Sequence, residues 1–170
     1  MKAALPVLIA ILSPGCGYHL AGRADLLPKH LKTIAVPAFG NNTTRYRLTD
    51  RLPAAITREF LSRTRYQVLP DQNHADAILQ GTVVNYISYP TVFDPVTGRA
   101  AGVQLSVFLQ VRLVERASGK VLFERPSLEV RQRYEISVDQ VAYFEESDAA
   151  LDRVCREVAR ALVSAILEDF

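Results

Sequence analysis

Cys16 is the residue with the clearest chemical role in the sequence, because it follows a stretch laid out like a bacterial secretory signal. That stretch has one positive charge at Lys2, an apolar run over residues 3–12, and small residues ending at Gly15. A peptidase that cuts after Gly15 leaves Cys16 as the new N-terminus, where its sulfur and amine can be acylated. Several acyl chains such as palmitate, each buried CH₂ contributing about 0.8 kcal/mol, hold a protein on a bilayer. We therefore predict a lipoprotein signal peptide over residues 1–15 and a covalent lipid on Cys16.

The residues before Cys16 differ from the usual lipoprotein cleavage motif, with Ser13 and Pro14 between Leu12 and Gly15. Leucine usually lies three residues before the cysteine, whereas here Ser13 has that place and Leu12 lies four residues before it. The alternative is a plain secretory signal followed by a chance cysteine. Both interpretations predict export, and the apolar run is shorter than the roughly 20 residues that a spanning helix needs.

Elsewhere the sequence lacks the spacing of a catalytic or metal site. It has no G-x-x-x-x-G-K-S/T loop, no G-x-S-x-G elbow, no C-x-x-C pair and no H-E-x-x-H. His19, His30 and His74 lie far apart and are predicted to be surface or loop residues. Cys155 is predicted to be a small apolar residue of a helix. We expect no enzyme, no metal and no cofactor apart from the covalent lipid.

Length and charge narrow the class of protein further. The chain has 170 residues, 20 of them Lys or Arg and 18 Asp or Glu, for a net charge of +2. The net charge is too small to indicate a nucleic-acid partner. About 150 residues would remain after processing, which is enough for one domain with its own core. We predict a single domain over residues 16–170.

Hydrophobic periodicity predicts one strand and one helix in the first part of this domain. Residues 32–39 form a short β-rich apolar run that ends at Gly and Asn, which predicts a buried strand. Residues 48–64 repeat an apolar residue every four positions, which predicts an amphipathic helix. Thr49 or Asp50 is expected to cap that helix, and Pro53 is expected in its first turn.

The next part of the sequence predicts three strands. Residues 75–89 are β-rich, and the Pro- and Gly-containing residues 90–102 then form a long loop or an extended hairpin. Residues 103–113 alternate apolar and polar almost strictly, so one face of this strand is buried. A turn leads to a further strand over residues 121–134.

A second helix is expected at the end of the chain, after an acidic connector at residues 137–150. Ser147 or Asp148 is the expected N-cap. The predicted order is therefore β-α-β-β-β-α. The simplest way to bury both apolar helix stripes is an α+β fold, an α/β sandwich with two helices packed on one face of a four-stranded mixed sheet.

Several segments resemble the LptE family of lipopolysaccharide-assembly lipoproteins. They are GCGYHLAGR after the cleavage site, LPKHLKTIAVPAFGN, LTDRLPAAITREFLSRTRYQVL and ADAILQGTVVNY, and the most specific piece is C-G-Y-x-L. The resemblance spans essentially the whole mature chain. It implies a Gram-negative outer-membrane lipoprotein, lipid-anchored, that plugs and helps assemble the LptD β-barrel. The same resemblance implies binding of lipopolysaccharide during its transport to the cell surface.

Basic residues are the lipopolysaccharide-binding candidates. Arg99 lies in the loop between the second and third predicted strands, and matches the part of the family where a basic residue is implicated in lipopolysaccharide contact. Arg131 and Arg133 share one face of a strand, and guanidinium groups bind phosphate in a bidentate way. A solvated strand face is the alternative for this pair. The acidic connector has no Lys or Arg between residues 137 and 148, so no second basic contact can be assigned there.

Exposed apolar residues beside proline are the candidates for contact with the barrel. Tyr89, Val92 and Phe93 lie in or next to the PTVFDP segment and would be exposed in a simple hairpin, which suggests a docking surface. A locally packed loop is the alternative.

Two other functional classes remain open from the sequence. One is a periplasm-facing structural lipoprotein of another envelope complex, either a ring component or an activator of a cell-wall enzyme. The other is an unlipidated carrier of a small apolar ligand, which requires that Cys16 is not acylated.

Overall fold

The computed structural model describes residue 28, residues 30–135 and residues 140–169, with the backbone alone for 140–148. The predicted signal peptide and Cys16 lie outside these residues. Within them, six strands form one mixed sheet, and two α-helices pack against the sheet in one hydrophobic core. The strands are β1 (Thr33–Ala35), β2 (Gly40–Asn41), β3 (Gln67–Leu69), β4 (Ala77–Phe93), β5 (Ala100–Glu115) and β6 (Val121–Glu135). The helices are α1 (Leu48–Arg63) and α2 (Gln140–Glu168), and a short 3₁₀ turn covers Gln72–His74.

The sheet has the order β3-β1-β4-β5-β6, and β2 also pairs with β4. β1 is parallel to β3 and β4, whereas β4, β5 and β6 are antiparallel. The α+β fold class predicted from the sequence is confirmed, but the predicted number of four strands is too small. The two missed strands, β2 and β3, have only two and three residues, which is too short for a period to be visible.

The strand predicted over residues 32–39 is wrong in its second half. β1 ends at Ala35, and pairing with β4 resumes only at β2, where Gly40 lies opposite Thr82. Pro37 lies in the gap and has no amide hydrogen for the sheet. The ring of Phe39 packs against Gly81 of β4. A Cβ added at residue 81 would lie only 2.2 Å from Cε2 of Phe39. Glycine at position 81 therefore makes room for the ring of Phe39, which is 2% exposed.

Helix α1 has its predicted apolar stripe but not its predicted start. The residues of the stripe are at most 1% exposed: Leu48, Leu52, Ile56 and Phe60. Thr49 and Asp50 lie inside the helix, and the N-cap position is Arg47, without a side-chain capping bond. The chain already turns before the helix, since the amide of Leu48 donates to the carbonyl of Arg45. Pro53 is inside the helix as its sixth residue, so it lies beyond the first turn.

Helix α2 begins at Gln140, so the predicted connector at residues 137–150 is wrong for most of its length. Ser147 and Asp148 lie inside the helix and cannot cap it. Residues 140–150 contain neither Gly nor Pro, so nothing in this segment interrupts a helix. The acidic composition on which the connector was predicted is compatible with a helix. The predicted apolar positions of its second half are buried: Leu151, Cys155, Val158, Leu162 and Ile166.

The two helices run parallel to each other along the same face of the sheet. Arg51 in the first turn of α1 pairs with Asp152, with Nη1 and Oδ1 3.0 Å apart. Arg63 at the end of α1 donates to Oγ of Ser164 at 2.7 Å. Both contacts span the same sequence separation, so the helices keep one register. The apolar side of β5 over residues 103–113 packs with both helices in one hydrophobic core.

Asp76 fastens the start of β1 to the start of β4. Its Oδ2 accepts hydrogen bonds from the amides of Lys32 at 2.8 Å and Thr33 at 3.0 Å. The hydrogen bond from the backbone amide of Lys32 lowers the pKa of Asp76 most, and the charge of Arg116 lowers it further. Loss of this carboxylate would leave the amides of Lys32 and Thr33 without this acceptor.

None of the helices in the described part of the chain combines the length and the apolar character that a membrane-spanning helix needs.

Candidate functional site

The β4–β5 hairpin exposes a group of apolar side chains. The segment predicted as a loop or extended hairpin is a hairpin, because β4 continues to Phe93 and β5 begins at Ala100. Tyr89, Val92 and Phe93 are 43%, 52% and 58% exposed, so about half of each side chain is open to solvent. Ile87 and Val96 belong to the same exposed group and were missed. Alternation with Tyr89 could have identified Ile87, since both point to the same side of β4.

Strand register brings Arg131 and Arg133 to the same face of the sheet as this apolar group. Tyr89 lies opposite Gln104 and Gln104 opposite Arg133, so the three form one row across β4, β5 and β6. Ile87, Ser106 and Arg131 form the next row. Nε2 of Gln104 donates to the hydroxyl oxygen of Tyr89 at 2.6 Å.

These rows lie on the open face of the sheet. The intervening β5 residues Val103, Leu105 and Val107 point to the other face, where they are buried with the helices. Side chains at Ile87, Tyr89 and the two arginines are therefore not covered by α1 or α2.

The two arginines differ in what they contact. Arg131 binds Glu129 through two hydrogen bonds, from Nε at 2.7 Å and from Nη2 at 2.9 Å. The hydrogen bond from Arg131 lowers the pKa of Glu129, which therefore stays ionised. Arg133 is exposed and has no ion-pair partner among the residues that the structure describes. Glu129 occupies two of the five N–H donors of Arg131 and offsets its charge, so it competes with an anionic ligand there, whereas Arg133 has no such competitor among the described residues.

Arg99 lies at the turn of the hairpin, apart from the other two arginines. The turn is closed by a hydrogen bond of 2.8 Å from the amide of Asp94 to the carbonyl of Arg99, with Gly98 at a φ of +66°. Arg99 precedes Gln104, the neighbour of Arg133, by five residues, which is about 17 Å along an extended strand. The structure thus separates Arg99 from Arg133 along the hairpin, with Val92 and Phe93 at the levels between them and Tyr89 level with Arg133.

Asp94 gives this turn a fixed shape. Its Oδ1 accepts from the amides of Val96 and Thr97 and from the hydroxyl of Thr97. The amide of Thr97 makes the largest contribution to lowering the pKa of Asp94. A charged carboxylate therefore organises the loop that presents Arg99.

A shallow depression of about 500 Å³ lies further along the sheet. Its lining is mainly polar: Gln80, Thr82, Gln110, Arg112 and Glu124 contribute to it. Small-molecule sites are mostly apolar, so this depression does not favour the carrier of an apolar ligand.

The remaining chemically active residues have ordinary structural roles. His30 and His74 are exposed and pair with Glu115 and Asp71. Cys155 is 2% exposed, and burial raises its pKa to about 11, so the thiol is protonated. Within the described ranges, no group of three or more His, Cys, Asp or Glu residues is placed to hold a metal ion. The acidic side chains at residues 139–148 lie outside the described part.

Comparison with known proteins gives both a family and a fold. The family model described as LptE, lipopolysaccharide-assembly, matches residues 31–166. The comparison of the sequence with curated proteins gave no match.

Solved structures of three bacterial proteins have a similar fold. A lipoprotein from Caulobacter crescentus matches with a TM-score of 0.55 and 16% identity, covering 80% of this chain and 88% of its own. Rare lipoprotein B from Shewanella oneidensis matches with a TM-score of 0.53 and 12% identity, covering 81% and 95%. Lipoprotein B from Nitrosomonas europaea, solved by NMR, matches with a TM-score of 0.52 and 18% identity, covering 89% and 96%.

Proposed function

The chain belongs to the LptE family of lipopolysaccharide-assembly proteins, and from this premise we propose that it binds lipopolysaccharide through the β4–β5 hairpin while it plugs an LptD-like outer-membrane β-barrel. The observation that carries the proposal is the order of side chains along the hairpin. Arg99 lies at the turn and Arg133 lies about 17 Å further along the sheet. Exposed Val92 and Phe93 lie at the levels between them, and exposed Tyr89 lies in the row of Arg133.

This order fits the chemistry of lipopolysaccharide. The ligand has phosphate groups, which guanidinium groups bind with charge-assisted hydrogen bonds. It also has acyl chains, which an exposed apolar surface can cover. Binding and transfer of such a lipid break no covalent bond, which agrees with the expectation that the protein is not an enzyme.

The polar surface of the domain suits a place inside a barrel. Large outer-membrane barrels have polar interior walls, so a plug does not need an apolar exterior. The exposed hairpin residues Tyr89, Phe93 and Val96 also supply an apolar contact for one part of the barrel wall. A covalent lipid on Cys16 would keep the mature domain, residues 16–170, at the outer membrane.

Charge reversal at Arg99 tests the lipopolysaccharide part of the proposal. Arg99→Asp should weaken binding of the purified protein to lipopolysaccharide, because loss of a contact to a charged group costs roughly 1.5–3 kcal/mol. Lys120→Asp is the matched control, since Lys120 is an exposed residue in the turn between β5 and β6. Both variants should keep the wild-type circular dichroism spectrum and melting temperature.

Salt dependence separates this contact from general attraction between charges. Exposed charges are screened at high ionic strength, so the loss caused by Arg99→Asp should shrink but persist at the higher salt concentration. Equal affinities of Arg99→Asp, Lys120→Asp and wild type at both salt concentrations would remove Arg99 from the site.

A further inference from the structure

The shallow depression lined by polar side chains coincides with an irregularity in strand pairing. Thr82 lies opposite Gln110 of β5, but Gln110 has no partner in β6, because the register of β5 and β6 shifts between Leu109 and Val111. Pro126 lies at this irregularity, where the lack of an amide hydrogen is tolerated. The row across the three strands is therefore incomplete, and the depression of about 500 Å³ lies at this place.

The polar side chains that line the depression point away from the helices. In β5, Gln110 and Arg112 alternate with residues that are buried in the core. Gln80 of β4 and Glu124 of β6 both lie directly opposite Arg112, so they belong to the same side of the sheet. The depression therefore lies on the open face, which also carries the exposed side chains of the β4–β5 hairpin.

The depression offers hydrogen-bond donors and acceptors side by side. Nε of Arg112 donates to Oε1 of Gln80 at 2.8 Å, which leaves the amide nitrogen of Gln80 and the terminal nitrogens of Arg112 as donors. The carboxylate of Glu124 is an acceptor, and the hydroxyl of Thr82 and the amide of Gln110 can both donate and accept. Arg112 and Glu124 form no ion pair within the part of the chain that the structure describes.

These groups favour a neutral ligand that is rich in hydroxyls. A phosphate would gain the charge of Arg112 but would face the carboxylate of Glu124 on the next strand. The other guanidinium of the lining, Arg125, is already paired with Asp169 at 3.2 Å. An apolar ligand would leave the polar groups without partners. Sugar hydroxyls donate and accept at once, so they match both kinds of group in the depression.

From these observations we propose that the depression binds the oligosaccharide of lipopolysaccharide, an inference that rests on the proposed function. Gln110 lies four residues beyond Ser106, the neighbour of Arg131, which is about 13 Å along the strand. From the hairpin end, the open face thus presents Val92 and Phe93, then the rows of the two arginines, and then the depression. Lipopolysaccharide has the same order, because its acyl chains are attached to phosphorylated sugars that continue into an oligosaccharide.

An aromatic ring lies between the arginine rows and the depression. Phe108 is half-buried and lies between Ser106 and Gln110 on the open face of β5, and it is not part of the hydrophobic core under the helices. The C–H groups of sugar rings pack against aromatic rings. A sugar chain that continues from Arg131 to the depression would therefore pass over a surface suited to it.

Titration with the free oligosaccharide tests the proposal without the lipid. The probe is the oligosaccharide released from lipopolysaccharide by mild acid, and it is added to the purified full chain. The side-chain amide resonances of Gln80 and Gln110 should shift in the nuclear magnetic resonance spectrum. Inorganic phosphate should not shift them. Arg99→Asp should respond to the oligosaccharide as wild type does, because Arg99 lies at the turn of the hairpin.

A double variant of unchanged net charge tests the contribution of the depression to binding of the whole lipid. Arg112→Ala together with Glu124→Ala should lower the ratio of the affinity for lipopolysaccharide to the affinity for lipid A, which lacks the oligosaccharide. The expected decrease is roughly ten-fold, which corresponds to the loss of one hydrogen bond to a charged group. Lys120→Ala together with Glu168→Ala is the matched control, because it removes one charge of each sign from exposed positions outside the depression.

The outcomes distinguish this proposal from the one on which it rests. An unchanged ratio in the double variant, at an unchanged melting temperature, would overturn the oligosaccharide site and leave the hairpin site standing. Glutamine resonances that do not shift with the free oligosaccharide would also overturn it. A wild type that binds neither lipid but does bind the free oligosaccharide would support the depression and overturn the hairpin site.

Discussion

Gly81→Ala is expected to destabilise the protein, although alanine is the better residue in a strand. The added Cβ would lie 2.2 Å from Cε2 of Phe39, whereas carbon atoms pack at about 3.5–4.0 Å. The ring would have to move by more than about 1 Å from a site where it is 2% exposed. Overpacking of this kind costs about 1–3 kcal/mol, and removal of a strand glycine returns about 0.5–1 kcal/mol. We expect a net loss of roughly 1–2 kcal/mol in the free energy of unfolding.

Urea unfolding followed by circular dichroism measures this loss, and two further variants isolate its cause. Gly102→Ala places the same substitution in β5, where the nearest side-chain atom, Cβ of Val92, is 3.1 Å away and needs to shift only slightly, so its cost should be smaller than that of Gly81→Ala. Phe39→Ala should cost about 3–5 kcal/mol alone. In the Phe39→Ala background, Gly81→Ala should cost nothing more, because the ring it meets is gone. Additive effects of the two substitutions would refute the contact.

Three other predictions concern the charged and lipidated residues. Asp76→Ala should lower the free energy of unfolding at neutral pH by about 1.5 kcal/mol. Because the pKa of Asp76 is lowered in the folded protein, this contribution is complete above the ordinary aspartate pKa of 3.8 and disappears as the pH falls through the pKa of the folded state. Urea unfolding of wild type and variant at several pH values measures it. Arg133→Gln should weaken lipopolysaccharide binding more than Arg131→Gln, and Glu129→Gln should strengthen it by freeing Arg131; titration calorimetry measures all three, and an unchanged affinity for Glu129→Gln would contradict the competition. Cys16→Ala should move the protein from the membrane fraction to the soluble fraction, and an intact mass showing an unmodified wild-type chain would contradict the lipid anchor.

The long amphipathic elements were predictable because burial of one side fixes their period. The end of α1 was predicted within one residue, and the alternation over residues 103–113 places the buried side of β5 correctly. The break between β1 and β2 was only partly predictable: Pro37 indicates a weak end of the strand, but the contact of Phe39 with Gly81 joins residues that are distant in sequence. The early start of α2 was missed because its acidic first half has no apolar stripe as clear as that of its second half.

The candidate site was predictable in composition but not in arrangement. Proline and apolar residues in one segment indicated the exposure of Tyr89 and Phe93. The pairing of Arg131 with Glu129 joins neighbours on one face of β6, which strand alternation predicts, whereas the row of Tyr89, Gln104 and Arg133 depends on strand register, which the sequence does not reveal.

Co-purification from detergent-solubilised outer membranes tests the central claim most directly. The claim predicts that the tagged protein brings down an LptD-like β-barrel protein, and that Tyr89→Asp and Phe93→Asp reduce the amount of barrel recovered. Tyr46→Asp is the matched control, since Tyr46 is an exposed aromatic residue outside the hairpin, and it should recover the barrel as wild type does. Recovery of the wild-type protein without any β-barrel, or equal recovery by all three variants, would contradict the hairpin as the contact with the barrel.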